Sequence, residues 1–467
     1  MDIINNIIFV IFCAIAVSYG WGMRGTIIGG EKGAMLPGAF LGMIIALFSG
    51  SEVLANTPWM LAGVGAIGMY CGGNMTYADT LHLTMHEKNP PHFLKNMLGG
   101  IFLRGGIWFG ICGGFISLFL SAASASYDLW QIIVFFVLLP IFALSFYYIF
   151  NKPYDKEKNI FPKIYFSIKR KETWGGLLGI LIEIIIFSVV FRDWSSLTMT
   201  MGSFISGAVG WYIAQLMQIR AKHPAKNGKR FLEKLSRKNA VDAWKIMECV
   251  FGFIGGGGFA LTFVLSKPLF AEKLNIIDSY GYYSVIAESK ITYLLFVIYL
   301  IILAADLIQF FVIPSDSNRY KKYMKFCNNT EFAVYSIIPF TFIMLGSYKV
   351  ASFIAFSVVL LVLIQEFAEK FNKTGHTNSV GKISLFIPVI AVSIIAIAKE
   401  ILLNLTSAMF IYTAVYEAAF YGMKKLETGS SKLSPSEKTV HAYFITCCVL
   451  IMIITILIQG EIICLKT

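Results

Sequence analysis

Charged side chains are scarce in this 467-residue chain: they make up 14% of it, while 57% is hydrophobic. Ordinary soluble domains carry about 25% charged residues, so there is too little polar surface here to wrap a core of this size in water. That shortage excludes a soluble enzyme and a disordered chain alike. No Cys-x-x-Cys occurs among the eight cysteines, so neither a disulfide framework nor an iron–sulfur site is indicated. There is no His-Glu-x-x-His and no Gly-Lys-Ser/Thr ending of a phosphate-binding loop; no metal, cofactor or nucleotide is expected. Glycine is sparse in one part only: residues 1–258 hold 33 of the 40, and the rest of the chain holds 7.

What is present is apolar sequence in long runs. A spanning helix needs about 20 mostly apolar residues. Fourteen segments qualify: 3–23, 33–50, 58–78, 97–121, 128–150, 174–192, 196–218, 244–266, 291–315, 332–347, 350–369, 384–399, 401–422 and 439–463. The runs are too long, and alternate too little, for the short strands of a membrane β-barrel. The expected fold is all-α, a polytopic membrane protein of about 14 transmembrane helices. Residues 3–18 resemble a signal-peptide core, but no charged stretch precedes them, so they read as the first span.

The formal net charge of +12 reports orientation. Lys and Arg concentrate on the cytoplasmic side of a membrane. With the N-terminus outside, the inside loops hold 31 basic residues, the outside segments 7, and Arg104 falls within a span. An even number of spans puts both termini outside, in what reads as a bacterial cytoplasmic membrane. The basic loops 151–173 and 219–245 suit anionic headgroups, and no nucleic-acid partner is expected.

Segments of the first third recur in order. Gly65-Ala66-Ile67-Gly68-Met69-Tyr70 matches Gly207-Ala208-Val209-Gly210-Trp211-Tyr212; Glu31, Leu36 and Gly38 match Glu172, Leu177 and Gly179; Gly113-Gly114-Phe115 matches Gly257-Gly258-Phe259. These matches predict a parallel repeat of four spans, related by an axis along the membrane normal. The chain then divides into a first unit at 1–127, a second at 128–268, and a six-helix bundle at 269–467. Small residues let helix backbones approach closely in lipid, and Gly106, Gly110 and Gly114 form such a ladder.

Charges inside this apolar chain are the candidate functional residues. Six of the fourteen residues from Gly20 to Gly33 are glycine, which disfavours continuous helix and predicts a broken helix or re-entrant loop. Its free amides, with Arg24 and Lys32, would form an anion site, with Glu31 between them a further candidate for binding substrate; an ordinary tight turn is the alternative. Arg104 lies within span 4, and the repeat sets Glu248 at the matching place in span 8, which predicts a pair across the central cavity. Alternatively, both groups reach the water interface. Glu183 sits mid-span and is either a proton- or cation-coupling carboxylate or a structural hydrogen-bond partner. Asp79, His82 and His86 share a helical face beyond span 3, which reads as a polar gate or secondary site.

Three functions follow. A transporter for a small polar or anionic solute, driven by an ion gradient, fits the spans, the repeat and the buried charges. A membrane-embedded enzyme or lipid-linked transferase would use the cytoplasmic face, where Asp79, His82, His86 and Arg24 fall. A scaffold or assembly partner would use the basic loops. The expected partners are the bilayer and a small solute; no oligomeric state is read.

Overall fold

The computed structural model describes residues 3–24, 30–73, 97–166, 171–222, 242–283, 332–346 and 434–459, with short stretches between 294 and 358. Among these residues the fold is all-helical, with no strand beyond an isolated bridge between Asp155 and Ile160. Among the described residues, eight helices of 14 residues or more lie within the first 283: α1 (Ile3–Met23), α2 (Met35–Phe48), α3 (Pro58–Gly73), α4 (Phe102–Ala123), α5 (Leu129–Asn151), α6 (Trp174–Val190), α7 (Trp194–Lys222) and α8 (Ala243–Tyr280), with short helical turns at Gly30–Gly33, Glu52–Asn56 and Met97–Ile101. Each of the eight coincides with one of the first eight expected segments. Beyond them the described residues include the helices α9 (Ile338–Leu345) and α10 (Pro435–Gln459). Among the described residues, four helical stretches are long and apolar enough to cross a membrane: Ile3–Met23, Gly99–Ala123, Leu129–Asn151 and Ala243–Tyr280.

Local sequence sets the helix ends. Asp128 and Gln131 form a capping box at the start of α5. The Asp242 carboxylate accepts the backbone amides of Trp244 and Lys245 and starts α8. That helix runs through Pro268 to Tyr280, well beyond the apolar run that marks it in the sequence. Pro140 lies inside α5.

Six helices form a closed cycle of neighbours in the order α1, α2, α3, α4, α7, α8, back to α1. The α5–α6 pair stands outside it, attached through α6 to α4 and α7. The ring therefore draws helices from both expected repeat units. Glycine is found at its interfaces. A Cβ at Gly38 would lie 2.2 Å from the Gly65 carbonyl oxygen, and one at Gly207 would lie 2.2 Å from that of Gly105. These glycines bring α2 onto α3 and α4 onto α7 with backbones touching. The sequence-matched glycines Gly65 and Gly207 thus serve different helix pairs. In the α4 ladder, Gly106 seats Phe204 of α7, while Gly110 and Gly114 seat Leu181 and Ile184 of α6.

Candidate functional site

One end of the ring gathers the C-terminus of α1 and the N-termini of α4, α6 and α8. There α1 stays helical through Gly20 and Gly22 to Met23, and the Arg24 amide donates to the Gly20 carbonyl at 3.1 Å. The start of the glycine run is therefore continuous helix. A Cβ at Gly20 would meet the Pro37 backbone of α2 at 3.0 Å, and one at Gly22 would meet Cys249 and Phe444 at 2.7 Å. Close packing holds these glycines helical against their intrinsic preference. Residues 25–29, the middle of the expected re-entrant loop, lie outside the described residues.

Arg24 follows that helix and is buried. Its guanidinium carbon sits 5.1 Å from the Trp21 ring and 5.3 Å from the Trp108 ring, within cation–π range. Trp21 meets Trp108 edge-on at 4.6 Å, and Trp211 and Phe251 complete the aromatic cluster. The Trp108 indole donates to the Met69 carbonyl at 2.7 Å, which fixes that ring. Two buried groups at this end, the Trp21 indole N–H and both amide atoms of Gln218, have no hydrogen-bond partner among the described residues.

Lys245 closes the same end. Its ammonium donates to the carbonyls of Gly22 at 2.9 Å and Arg24 at 3.0 Å, the last acceptors of α1, and to Glu248 at 2.6 Å. A cation at a helix C-terminus complements its dipole. Lys32 places its ammonium 5.6 Å from the Tyr335 ring. Glu31 lies in a one-turn helix, Gly30–Gly33, and its side chain is outside the described residues.

The expected pair of Arg104 with Glu248 is corrected. Arg104 is fully buried and donates to Glu172 at 2.7 Å. The Glu172 carboxylate also accepts the Phe166 amide at 2.8 Å and the Trp174 indole at 3.2 Å. Burial pushes the Glu172 carboxyl up from its ordinary range, and Arg104 and these two donors pull it back. The reason for the swap is geometric. Arg104 lies in the first turn of α4 and meets the segment that enters α6, whereas Glu248 is satisfied three residues along its own helix. The Lys245-x-x-Glu248 spacing signals that local pair; no comparable spacing links Arg104 to Glu172.

Glu183 stands apart from both. It is 2% exposed in mid-α6, and neither carboxylate oxygen has a hydrogen-bond partner among the described residues. Arg104, Glu183 and Glu248 therefore do not converge on one cavity. Asp79, His82 and His86 lie outside the described residues. Among the described residues no group of His, Cys, Asp and Glu is arranged to hold a metal.

The opposite end carries a polar knot that sequence reading missed. Asp193 accepts from Lys273 at 2.7 Å, from Ser195 and Ser121 at 2.5 Å, from the Ser196 hydroxyl at 2.7 Å, and from Tyr127. Lys273 also donates to Ser121 and Ser195. Burial would raise the Asp193 carboxyl, but the Lys273 ammonium and the serine hydroxyls more than offset it and hold it well below the usual carboxylate range. The Asp193-Trp194-Ser195-Ser196 stretch was a readable cap for α7. Its cation was not readable, because Lys273 belongs to α8 only when that helix is extended to Tyr280.

No protein family, curated protein or solved structure matches the chain.

Proposed function

We propose that this chain is a multi-pass membrane transporter, driven by an ion gradient, for a small polar or anionic solute. In this reading it crosses a bacterial cytoplasmic membrane fourteen times with both termini outside, and its first eight spans arise from a parallel four-span repeat. The solute enters at the Arg24 end of the ring, which faces the cytoplasm.

The observation that carries the reading is the composition of that end. A buried arginine lies on two tryptophans, with the Lys245–Glu248 pair beside it. The Trp21 N–H and the Gln218 amide have no partner among the described residues. Buried polar groups in proteins are nearly always hydrogen-bonded. A polar solute that accepts from the indole, and that both donates to and accepts from the Gln218 amide, would satisfy them. Helix ends at this end of the ring would add amide donors, as at other sites where transporters bind anions.

The test is uptake by proteoliposomes across a broad panel of polar metabolites, with and without an imposed proton gradient. The expected result is accumulation of at least one anionic solute, lost in Arg24→Ala. Failure across the whole panel overturns the transporter and leaves the embedded enzyme with a cytoplasmic-face site, or the scaffold.

A further inference from the structure

Helices α5 and α6 run antiparallel, joined through the α6 glycines. A Cβ at Gly175 would lie 2.8 Å from the Phe146 carbonyl oxygen, one at Gly179 would lie 2.3 Å from that of Phe142, and one at Gly176 would lie 3.2 Å from that of Ala143. Advancing α6 by two turns from Gly176 reaches Glu183, and retreating α5 by two turns from Ala143 reaches Phe136. One turn on from the closer Gly179–Phe142 contact, Glu183 falls opposite Leu138, so the register sets Glu183 against the turn of α5 from Phe136 to Leu139, whose first carbonyl is that of Phe136. That carbonyl is unusual. Its ordinary helical donor would be the amide of residue 140, and residue 140 is proline, which has none. Prolines persist inside membrane helices where a neighbouring helix satisfies the carbonyl they free.

Glu183 needs such a neighbour. Its carboxylate oxygens are buried and have no partner among the described residues. The ionisable residues on the helices packed against α6 are Arg104 and Cys112 on α4, Tyr147 and Tyr148 on α5, and Tyr212, Arg220 and Lys222 on α7. The cations in this set sit at helix ends, and Arg104 is held by Glu172, roughly 15 Å along the helix from Glu183. An ionised carboxylate without a counter-charge in an apolar interface is costly, whereas a neutral acid there is a donor seeking an acceptor.

We propose that Glu183 and the Phe136 carbonyl form a proton site between α5 and α6: with the proton bound, the acid donates to the carbonyl freed by Pro140 and ties α5 to α6; without it, the tie is released. In the structure neither Glu183 oxygen has a partner among the described residues, which is the untied arrangement. The α5–α6 pair stands outside the ring, so its attachment changes without breaking any ring interface. Under the transporter reading, on which this consequence rests, the proton is the coupling ion and the α5–α6 pair is the element it moves.

The experiment uses the full chain reconstituted in liposomes, followed by infrared spectroscopy over a pH series. The expected result is a carboxylic-acid carbonyl band that Glu183→Gln removes. Pro140→Ala, which supplies the missing amide and occupies the Phe136 carbonyl, shifts that band. In uptake assays, Glu183→Gln reduces gradient-driven accumulation to the gradient-free level. A band untouched by Glu183→Gln, or unmoved by Pro140→Ala, overturns the site. Equal loss of uptake with and without the gradient overturns the coupling. Should Glu183→Gln not fold, Pro140→Ala tests the site with Glu183 in place. The infrared measurement needs no solute, so a proton band without any transport would sink the transport reading alone.

Discussion

At the scale of single residues, the energetic weight lies in charges held away from water. Arg104 is fully buried and its guanidinium relies on Glu172. Removing one member of a buried pair strands the other and costs about 3–5 kcal/mol, whereas replacing both with apolar residues is often neutral. Glu172→Ala should therefore lower unfolding stability in detergent by about that amount, and the double variant Arg104→Met, Glu172→Leu should recover most of it. Equal losses in the single and double variants would show that the pair has no such role. Asp193 makes a pH prediction. Its folded-state carboxyl is held below the unfolded value, so its contribution is complete above about pH 4 and is lost as pH falls below that. Thermal denaturation across pH 7 to 3 should show a steeper acid loss in the parent than in Asp193→Asn, which should already be less stable at neutral pH because Lys273 loses its counter-charge. At this scale little was legible beforehand. The sequence marks Arg104 and Glu183 as buried charges because they interrupt apolar runs. It does not name their partners, since Glu172 precedes its helix and Lys273 lies in an extension of α8 that composition alone does not reveal.

At the scale of helices, the reading from sequence was strongest. Long apolar runs separated by basic loops leave little freedom in where α1 to α8 lie. Their ends depend on caps and packing instead: α1 persists through Gly20 and Gly22 because neighbouring helices clamp them, and α8 continues past Pro268. Glycine abundance pointed to close backbone contact, but which helices meet depends on the fold in three dimensions. Gly105 tests that contact. A Cβ there would lie 2.5 Å from the Gly207 carbonyl oxygen, while one at Gly99 would meet nothing within 4 Å. Overpacking a tight contact costs about 1–3 kcal/mol or more. Gly105→Ala should lower the melting temperature in detergent, and Gly99→Ala should leave it within error. A tolerated Gly105→Ala would mean that α4 and α7 are not joined backbone to backbone.

At the scale of the whole molecule, the ring gives its two ends different chemistry. One holds Arg24, the Arg104–Glu172 pair and the Lys245–Glu248 pair; the other holds the Asp193–Lys273 knot. Under the proposed topology the Arg24 end faces the cytoplasm, because the basic segments 151–173 and 219–245 join that end. This can be decided by connectivity. From Glu157, in the first of those segments, the chain passes through α6, α7 and α8 before reaching the exposed Tyr280. In the proposed topology each of these helices crosses the membrane, and three crossings leave the two residues on opposite sides. A membrane-impermeant maleimide should therefore label Tyr280→Cys in intact cells and Glu157→Cys only after lysis, each measured against the unsubstituted chain as background. Labelling with the sides exchanged would invert the orientation and place the Arg24 end outside. Labelling of both from one side would mean that α6, α7 and α8 do not each cross, and the ring would have to be placed otherwise in the membrane.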